Sequence, residues 1–195
     1  APGSGIPTGF VTMSFGADSC QGELNNGSGS CVLTPLSSAT GTLSATYQGD
    51  DNFTSSSIVT IENLVVSKAN IYLNITDDFN DQSYVVGQPY SVNVRVTTGF
   101  ESTLIPVGAS ITISNGMGET CDATISEAGA ATCQITPDRV EGQFLVASFA
   151  GNDDFNTADS STIAGPTINK ADTSIRILSV APSPSVFGSS FDVTV

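Results

Sequence analysis

The residues in this chain with chemistry to offer are four cysteines, a few clusters of Asp and Asn, and five basic side chains. Cys20 and Cys31 are separated by ten residues that include Asn25, Asn26 and Gly27, and Cys121 and Cys133 by eleven that include Gly129. Each pair flanks a predicted hairpin turn. Four cysteines allow three pairings, but one pair recurs about 100 positions after the other, so Cys20 with Cys31 and Cys121 with Cys133 is favoured. Each bond would staple neighbouring strands, contribute about 3 kcal/mol by closing a short loop, and imply an oxidising compartment. A zinc site would need the four sulfurs to converge from distant positions in a chain that has no His.

The acidic loops carry a second chemistry. Asp50, Asp51 and Asn52 recur as Asn152, Asp153 and Asp154, and Asp77, Asp78 and Asp81 form a further cluster. Hard oxygen ligands on a loop can take calcium, which makes Asp50, Asp51, Asp153 and Asp154 candidate ligands and calcium the one candidate cofactor. Asp and Asn also form turns by capping their own backbone, and the spaced D-x-D-x-D-G pattern is missing, so turn formation is the leading reading. Lys68 and Lys170 occupy equivalent positions, as solvated linker side chains or, more rarely, as partners of a covalent bond to Asn or Asp. Asn26, Asn52 and Asn74 each begin an N-x-Ser/Thr sequon on or near a predicted loop and are candidate glycosylation sites.

Composition closes other classes. Without His or Trp there is no His-based triad, no His-ligated zinc and no Trp platform for sugars. Carboxylates such as Glu119 and Asp122 exist, but nothing in the pattern brings them together with a base or nucleophile, so the expectation is a protein without catalytic residues. A net charge of -14 repels nucleic acid and anionic membranes. Only 12% of residues are charged, leaving a polar, mostly neutral surface that suits an extracellular setting. No apolar run reaches the roughly 18 residues of a membrane span, and no basic-then-apolar leader precedes Ala1.

The elements that would position these residues come from an internal repeat. A shift of 102 lays CVLTP (31–35) on CQITP (133–137), YQGDDNF (47–53) on FAGNDDF (149–155) and SKAN (67–70) on NKAD (169–172). A shift of 101 lays VGQPYSVNV (86–94) on FGSSFDVTV (187–195). Apolar side chains alternate with period two in Tyr90, Val92, Val94 and Val96, in Ile111 and Ile113, in Leu43, Ala45 and Tyr47, and in Leu145, Ala147 and Phe149. The same pattern is weaker in Ile58, Thr60 and Glu62. Such alternation marks half-buried strands, and short strands between Gly, Pro, Asn and Asp clusters point to packed antiparallel sheets.

With IPTGFVTMSFG, GTLSATYQGDDNF and SKA, and with IPVGASITISNG, FLVASFAGNDDF and NKA, the chain resembles the bacterial Ig-like (group 3 type) repeats of large cell-surface and adhesin proteins over nearly its whole length. The resemblance implies a tandem, cell-surface setting with no active site. The expected fold is all-β, tandem immunoglobulin-like antiparallel β-sandwiches of about seven strands each. The expected boundaries are 1–69 for a repeat lacking its first strands, 70–170 for a complete repeat and 171–195 for the first strands of a further one.

The phase of the repeat suggests an assembly. Residues 171–195 supply what 1–69 lacks, so Ile175, Ile177, Val186, Phe191, Val193 and Val195 are expected to form an inter-subunit strand segment that completes a neighbouring copy. Copies of the chain are then its partners, head to tail in an extracellular fibre or adhesin stalk, either joined by donated strands or continuous in a longer tandem array. A cut fragment is the bland alternative. A functional alternative is a recognition module for glycans or proteins, using Tyr72, Phe79, Tyr84 or Phe100 as exposed aromatics.

Overall fold

The computed structural model describes residues 5–99 and 104–195 and is all-β, with sixteen strands and no helix among the described residues. Strands β1 (Phe10–Phe15), β2 (Asp18–Glu23), β3 (Ala39–Tyr47) and β4 (Val59–Val66) form one antiparallel sheet in the order β2-β1-β3-β4. The register sets Val11, Met13 and Phe15 opposite Tyr47, Ala45 and Leu43. It also sets Leu43 and Ala45 opposite Ile61 and Val59. Directly opposed residues share a face, so these side chains make one apolar surface.

Strand β4 corrects the expected parity of this segment. Val59 and Ile61, rather than Ile58, Thr60 and Glu62, lie on the apolar face, while Glu62 accepts a 2.5 Å hydrogen bond from the Thr42 hydroxyl. The segment is apolar at both parities, so its own pattern leaves the register open and β3 decides it.

The second region, 71–169, holds β5 (Ile71–Ile75), β6 (Ser83–Val85), β7 (Tyr90–Thr98), β8 (Ser110–Ser114), β9 (Thr120–Thr124), β10 (Ala130–Ile135), β11 (Phe144–Phe149), β12 (Ala158–Asp159), β13 (Ile163–Ala164) and β14 (Thr167–Asn169). One sheet has the order β10-β7-β5 and a second β12-β11-β8-β9, with β13 also on β11 and a short parallel pair β14-β6. Strict alternation holds in β7, where Tyr90, Val92, Val94 and Val96 are buried and the intervening residues exposed. Leu73, Val92 and Val94 from one sheet share a single core with Ile111, Ile113 and Leu145 from the other.

Between β9 and β10 the chain crosses from the second sheet to the first. Gly129 makes the crossing possible: its φ is 72°, and a Cβ there would sit 2.7 Å from the Val96 carbonyl oxygen. The third region holds β15 (Ser179–Ala181) and β16 (Asp192–Thr194), which pair antiparallel with each other alone among the described residues. Every residue from 171 to 195 is exposed.

Candidate functional site

The cysteines pair as favoured, Cys20 with Cys31 and Cys121 with Cys133, each with Cα atoms 5.9 Å apart. They do not staple neighbours within one hairpin. Cys121 lies in β9 and Cys133 in β10, at the edges of two different sheets. Cys20 lies in β2, but Cys31 belongs to no strand. The difference has a plain cause: Cys133 is opposite Val92 in the β10–β7 ladder, whereas residues 29–36 have no ladder partner among the described residues, and a strand needs one to satisfy its backbone groups.

The same contrast runs across the face of the N-terminal sheet. Its apolar side is left largely uncovered, with Val59 63% and Ile61 61% exposed and Val11, Met13, Leu43, Ala45 and Tyr47 only partly buried. Phe15 is its one buried apolar strand residue, at 4% exposed. Its ring lies over Gly41, where a Cβ would meet it at 3.1 Å. In the central region Asn115 and Gln143 stand at the corresponding positions, both buried, with the Asn115 amide donating to the Gln143 side-chain oxygen and, at 2.7 Å, to Glu119. A ring over a glycine and a pair of bonded amides thus fill the same space.

Both acidic loops are built by turn chemistry. Asp50 accepts hydrogen bonds from the Asn52 and Phe53 backbone N–H groups at 2.8 and 2.7 Å, and Asn152 from those of Asp154 and Phe155 at 3.0 and 2.8 Å. Asp50 also takes the backbone N–H and hydroxyl of Thr8, both at 2.8 Å, and these donors, Thr8 N–H foremost, hold its carboxyl well below the usual carboxylate range. Asp51 and Asp153 are exposed beside them, and Asp154 is partly buried. Among the described residues no group of three or more His, Cys, Asp or Glu side chains converges as a metal site would require.

The loop at 152–156 has a role that the pattern of acids did not reveal. It is the junction between the N-terminal sheet and the central region. Ser38 donates through its backbone N–H to Asp154 Oδ1 and through its hydroxyl to the Asp153 carbonyl, both at 2.6 Å. Ala69 N–H donates to the Asp154 carbonyl at 2.8 Å, and Asn156 N–H to the Ala69 carbonyl at 2.9 Å. Lys68 Nζ donates to the Asn152 carbonyl at 2.5 Å, so this lysine is neither a free linker side chain nor bonded to a carboxyl group. A cavity of about 350 Å³ lies beside these contacts, lined by Leu36, Val66, Leu104 and Phe155 among others. The signal was available in the sequence as the shared spacing of SKAN and the loop, but acids next to Asn and Gly also describe ordinary turns.

The remaining candidates fall on the surface or in the core. Asn26 and Asn52 are exposed in turns, while Asn74 is exposed in β5, opposite Arg95, rather than on a loop. Glu119 caps its own hairpin through Asn115, and Asp122 accepts from the Thr112 hydroxyl at 2.7 Å. Phe79 is a core residue, edge-on to Tyr90 with centroids 5.7 Å apart, and Tyr84 packs against the same ring. Burial and the nearby Glu119 charge push the Tyr90 hydroxyl up to about 12. Tyr72 is exposed, and Phe100 lies outside the described residues.

In the C-terminal hairpin Ile175 is 81%, Val186 72% and Ile177 64% exposed, with Phe191, Val193 and Val195 also exposed. No helix among the described residues is long and apolar enough to cross a membrane. No family model matches the sequence, and no curated protein matches it.

Proposed function

We propose that this chain is a structural unit of an extracellular fibre or adhesin stalk, built from tandem immunoglobulin-like β-sandwiches of the bacterial surface type and joined head to tail. The observation that carries this reading is the open apolar face of the β2-β1-β3-β4 sheet together with a separate hairpin whose Ile175, Phe191 and Val193 are exposed. Burying this apolar surface between copies would favour association by roughly 25 cal/mol per Å² removed from water, against the costs of ordering the partners. Two disulfides fit a spacer working in an oxidising setting. Continuity in a longer array and donation between separate chains would make the same contacts.

The test is the mass of the chain in solution as a function of concentration. The intact chain should form a ladder of oligomers visible as filaments by electron microscopy, and Val193→Asp should leave it monomeric. A chain that stays monomeric at high concentration would overturn the reading. Exposed Tyr72 favours a recognition module instead if the protein is retained on a glycan or protein array and Tyr72→Ala abolishes retention.

A further inference from the structure

The central region is a template for how the hairpin would seat, because its own strands already make the contacts in question. Strand β7 pairs on one edge with β5 and on the other with β10, with Tyr90 opposite Ile135, Val92 opposite Cys133 and Val94 opposite Ala131. At the turn before β7, Gly87 N–H donates to the Pro137 carbonyl at 2.9 Å. Shifted by 101 or 102 positions, Tyr90, Val92 and Val94 become Phe191, Val193 and Val195, while Ile135, Cys133 and Ala131 become Leu33, Cys31 and Gly29. Those last three lie in the segment 29–36 that has no ladder.

The turn of the hairpin already has the template's shape. Its turn is closed by Ser189 N–H to the Val186 carbonyl at 3.0 Å, as Gln88 N–H closes on Val85 at 2.9 Å. Gly188 has φ 83° and Gly87 82°, a left-handed conformation that glycine adopts at little cost. Leu178 N–H donates to the Thr194 carbonyl at 2.8 Å, where Thr76 N–H donates to Asn93 at 2.9 Å. The β15–β16 ladder uses residues 179–181, beyond the counterparts of β5, and residues 170–178 lie in no strand, but the other edge of β16 is unpaired among the described residues.

Charge points the same way. Lys170 and Arg176 offset Asp172 and Asp192, so residues 170–195 are neutral and the rest of the chain carries the whole net charge of -14. Lys68 shows where such a lysine goes, since it donates to the first residue of the 152–155 turn. The corresponding turn, Asp50–Phe53, has the same hydrogen bonds and two carboxylates, and Lys170 is exposed.

We infer that residues 170–195 of a second copy seat on the N-terminal sheet in one register, with Phe191 opposite Leu33, Asp192 opposite Val32, Val193 opposite Cys31 and Thr194 opposite Ser30, and with Lys170 on the Asp50 turn. This rests on the fibre reading and adds to it the partner segment, its register and a cationic anchor. Val32 and Asp192 are both exposed and neither belongs to the buried core, so the pair can be altered without touching it. Val32 is 88% exposed.

The experiment is disulfide trapping between copies. The double variants Val32→Cys with Asp192→Cys and Ser30→Cys with Thr194→Cys should give a covalent head-to-tail ladder on a non-reducing gel. The shifted pair Val32→Cys with Thr194→Cys should give about tenfold less, since diagonal neighbours lie about 7–8 Å apart rather than the ~4.5–5.5 Å of direct partners. Lys170→Glu should weaken association roughly three- to tenfold at low salt, and Asp51→Lys in the same chain should recover part of it. Oligomers that trap best through the shifted pair, or that trap through neither, would overturn the register and leave the fibre reading standing. A chain that never associates would remove both.

Discussion

The N-terminal sheet and the central region present the same kind of antiparallel layer, four strands in one and five in the other, in two conditions, one open and one covered. In the central region Ile111, Ile113, Leu145 and Ala147 are completely buried beneath β7 and its neighbours. In the N-terminal sheet Met13, Leu43 and Ala45 stand in corresponding strands and remain half-buried. Strand pattern therefore makes a layer with an apolar side, but a second layer is what turns that side into a core. The contrast also shows what a strand requires: the CQI of CQITP is in a strand with β7 beside it, and CVLTP, without such a neighbour, is in none.

The sharpest way to break this comparison is to remove the same side chain from both layers. Leu145→Ala should destabilise the central region by about 2–5 kcal/mol, because it leaves a cavity at a site with no exposure. Leu43→Ala should cost under about 1 kcal/mol in the unassembled chain, where water already reaches the position. Denaturant unfolding at low concentration measures both. If the N-terminal sheet is covered on assembly, the two costs should converge at high concentration; equal costs in the monomer would mean that the sheet is closed by some other route.

The disulfides give the next largest difference. Replacing Cys121 and Cys133 by Ser should cost the central region about 3 kcal/mol, the entropy of reopening a short loop, with the β9–β10 edges held afterwards by the shared core. Replacing Cys20 and Cys31 removes a similar loop constraint but also frees residues 24–36, which no ladder retains beyond the Asn25–Ser28 bridge. Hydrogen exchange should then show protection surviving in 130–135 and absent in 28–36. Equal protection in both segments would sink the claim that only a partner strand makes this segment a strand.

Much of this was legible in residue order. The alternation at Tyr90 to Val96 and at Leu145 to Phe149 matches which side chains turn inward, and that at Leu43 to Tyr47 matches which share a face. Strand β4 was illegible for the opposite reason, with apolar residues at 58, 59, 61, 64, 65 and 66. The junction was hidden because the Asn152 turn and the Asp50 turn are chemically alike, and only three-dimensional placement tells which of them receives Ser38 and Lys68. The cysteine pairing could be read from recurrence, but the crossing of the chain between sheets at Gly129 could not.

A subtler contrast lies in how the two layers fill one position. The buried amide pair Asn115 and Gln143 should lose about 1–3 kcal/mol on Asn115→Ala, because Gln143 and the Met117 and Glu119 backbone N–H groups lose their partner. Exchanging the pairs tests whether the two solutions are equivalent. Asn115→Phe with Gln143→Gly should cost less than Asn115→Phe alone, since the ring needs the space that a glycine leaves, as Phe15 uses Gly41. A double variant worse than the single one would show that the two fillings depend on their surroundings and not on each other.

The smallest effect separates two depressed carboxyl groups. Asp138 is held down to about 2 chiefly by the Arg139 side chain, whose Nε lies 2.6 Å from it on the surface of the central region. Asp50 is held down by backbone N–H groups of the N-terminal sheet, Thr8 first. Both pKa values lie below the ordinary 3.8, so each group adds stability above that pH, and the contribution is lost as pH falls from about 3.8 through the folded value. Salt distinguishes them: an exposed ion pair is screened, whereas fixed backbone donors are not. Carbon-detected titration by NMR in 1 M salt should move Asp138 upward toward 3.8 and leave Asp50 nearly in place, and Arg139→Ala should do the same to Asp138 with little change in overall stability. An equal upward shift of Asp50 would mean that its turn is held by charge rather than by the backbone, and the Asp50 and Asn152 turns would no longer be the same device.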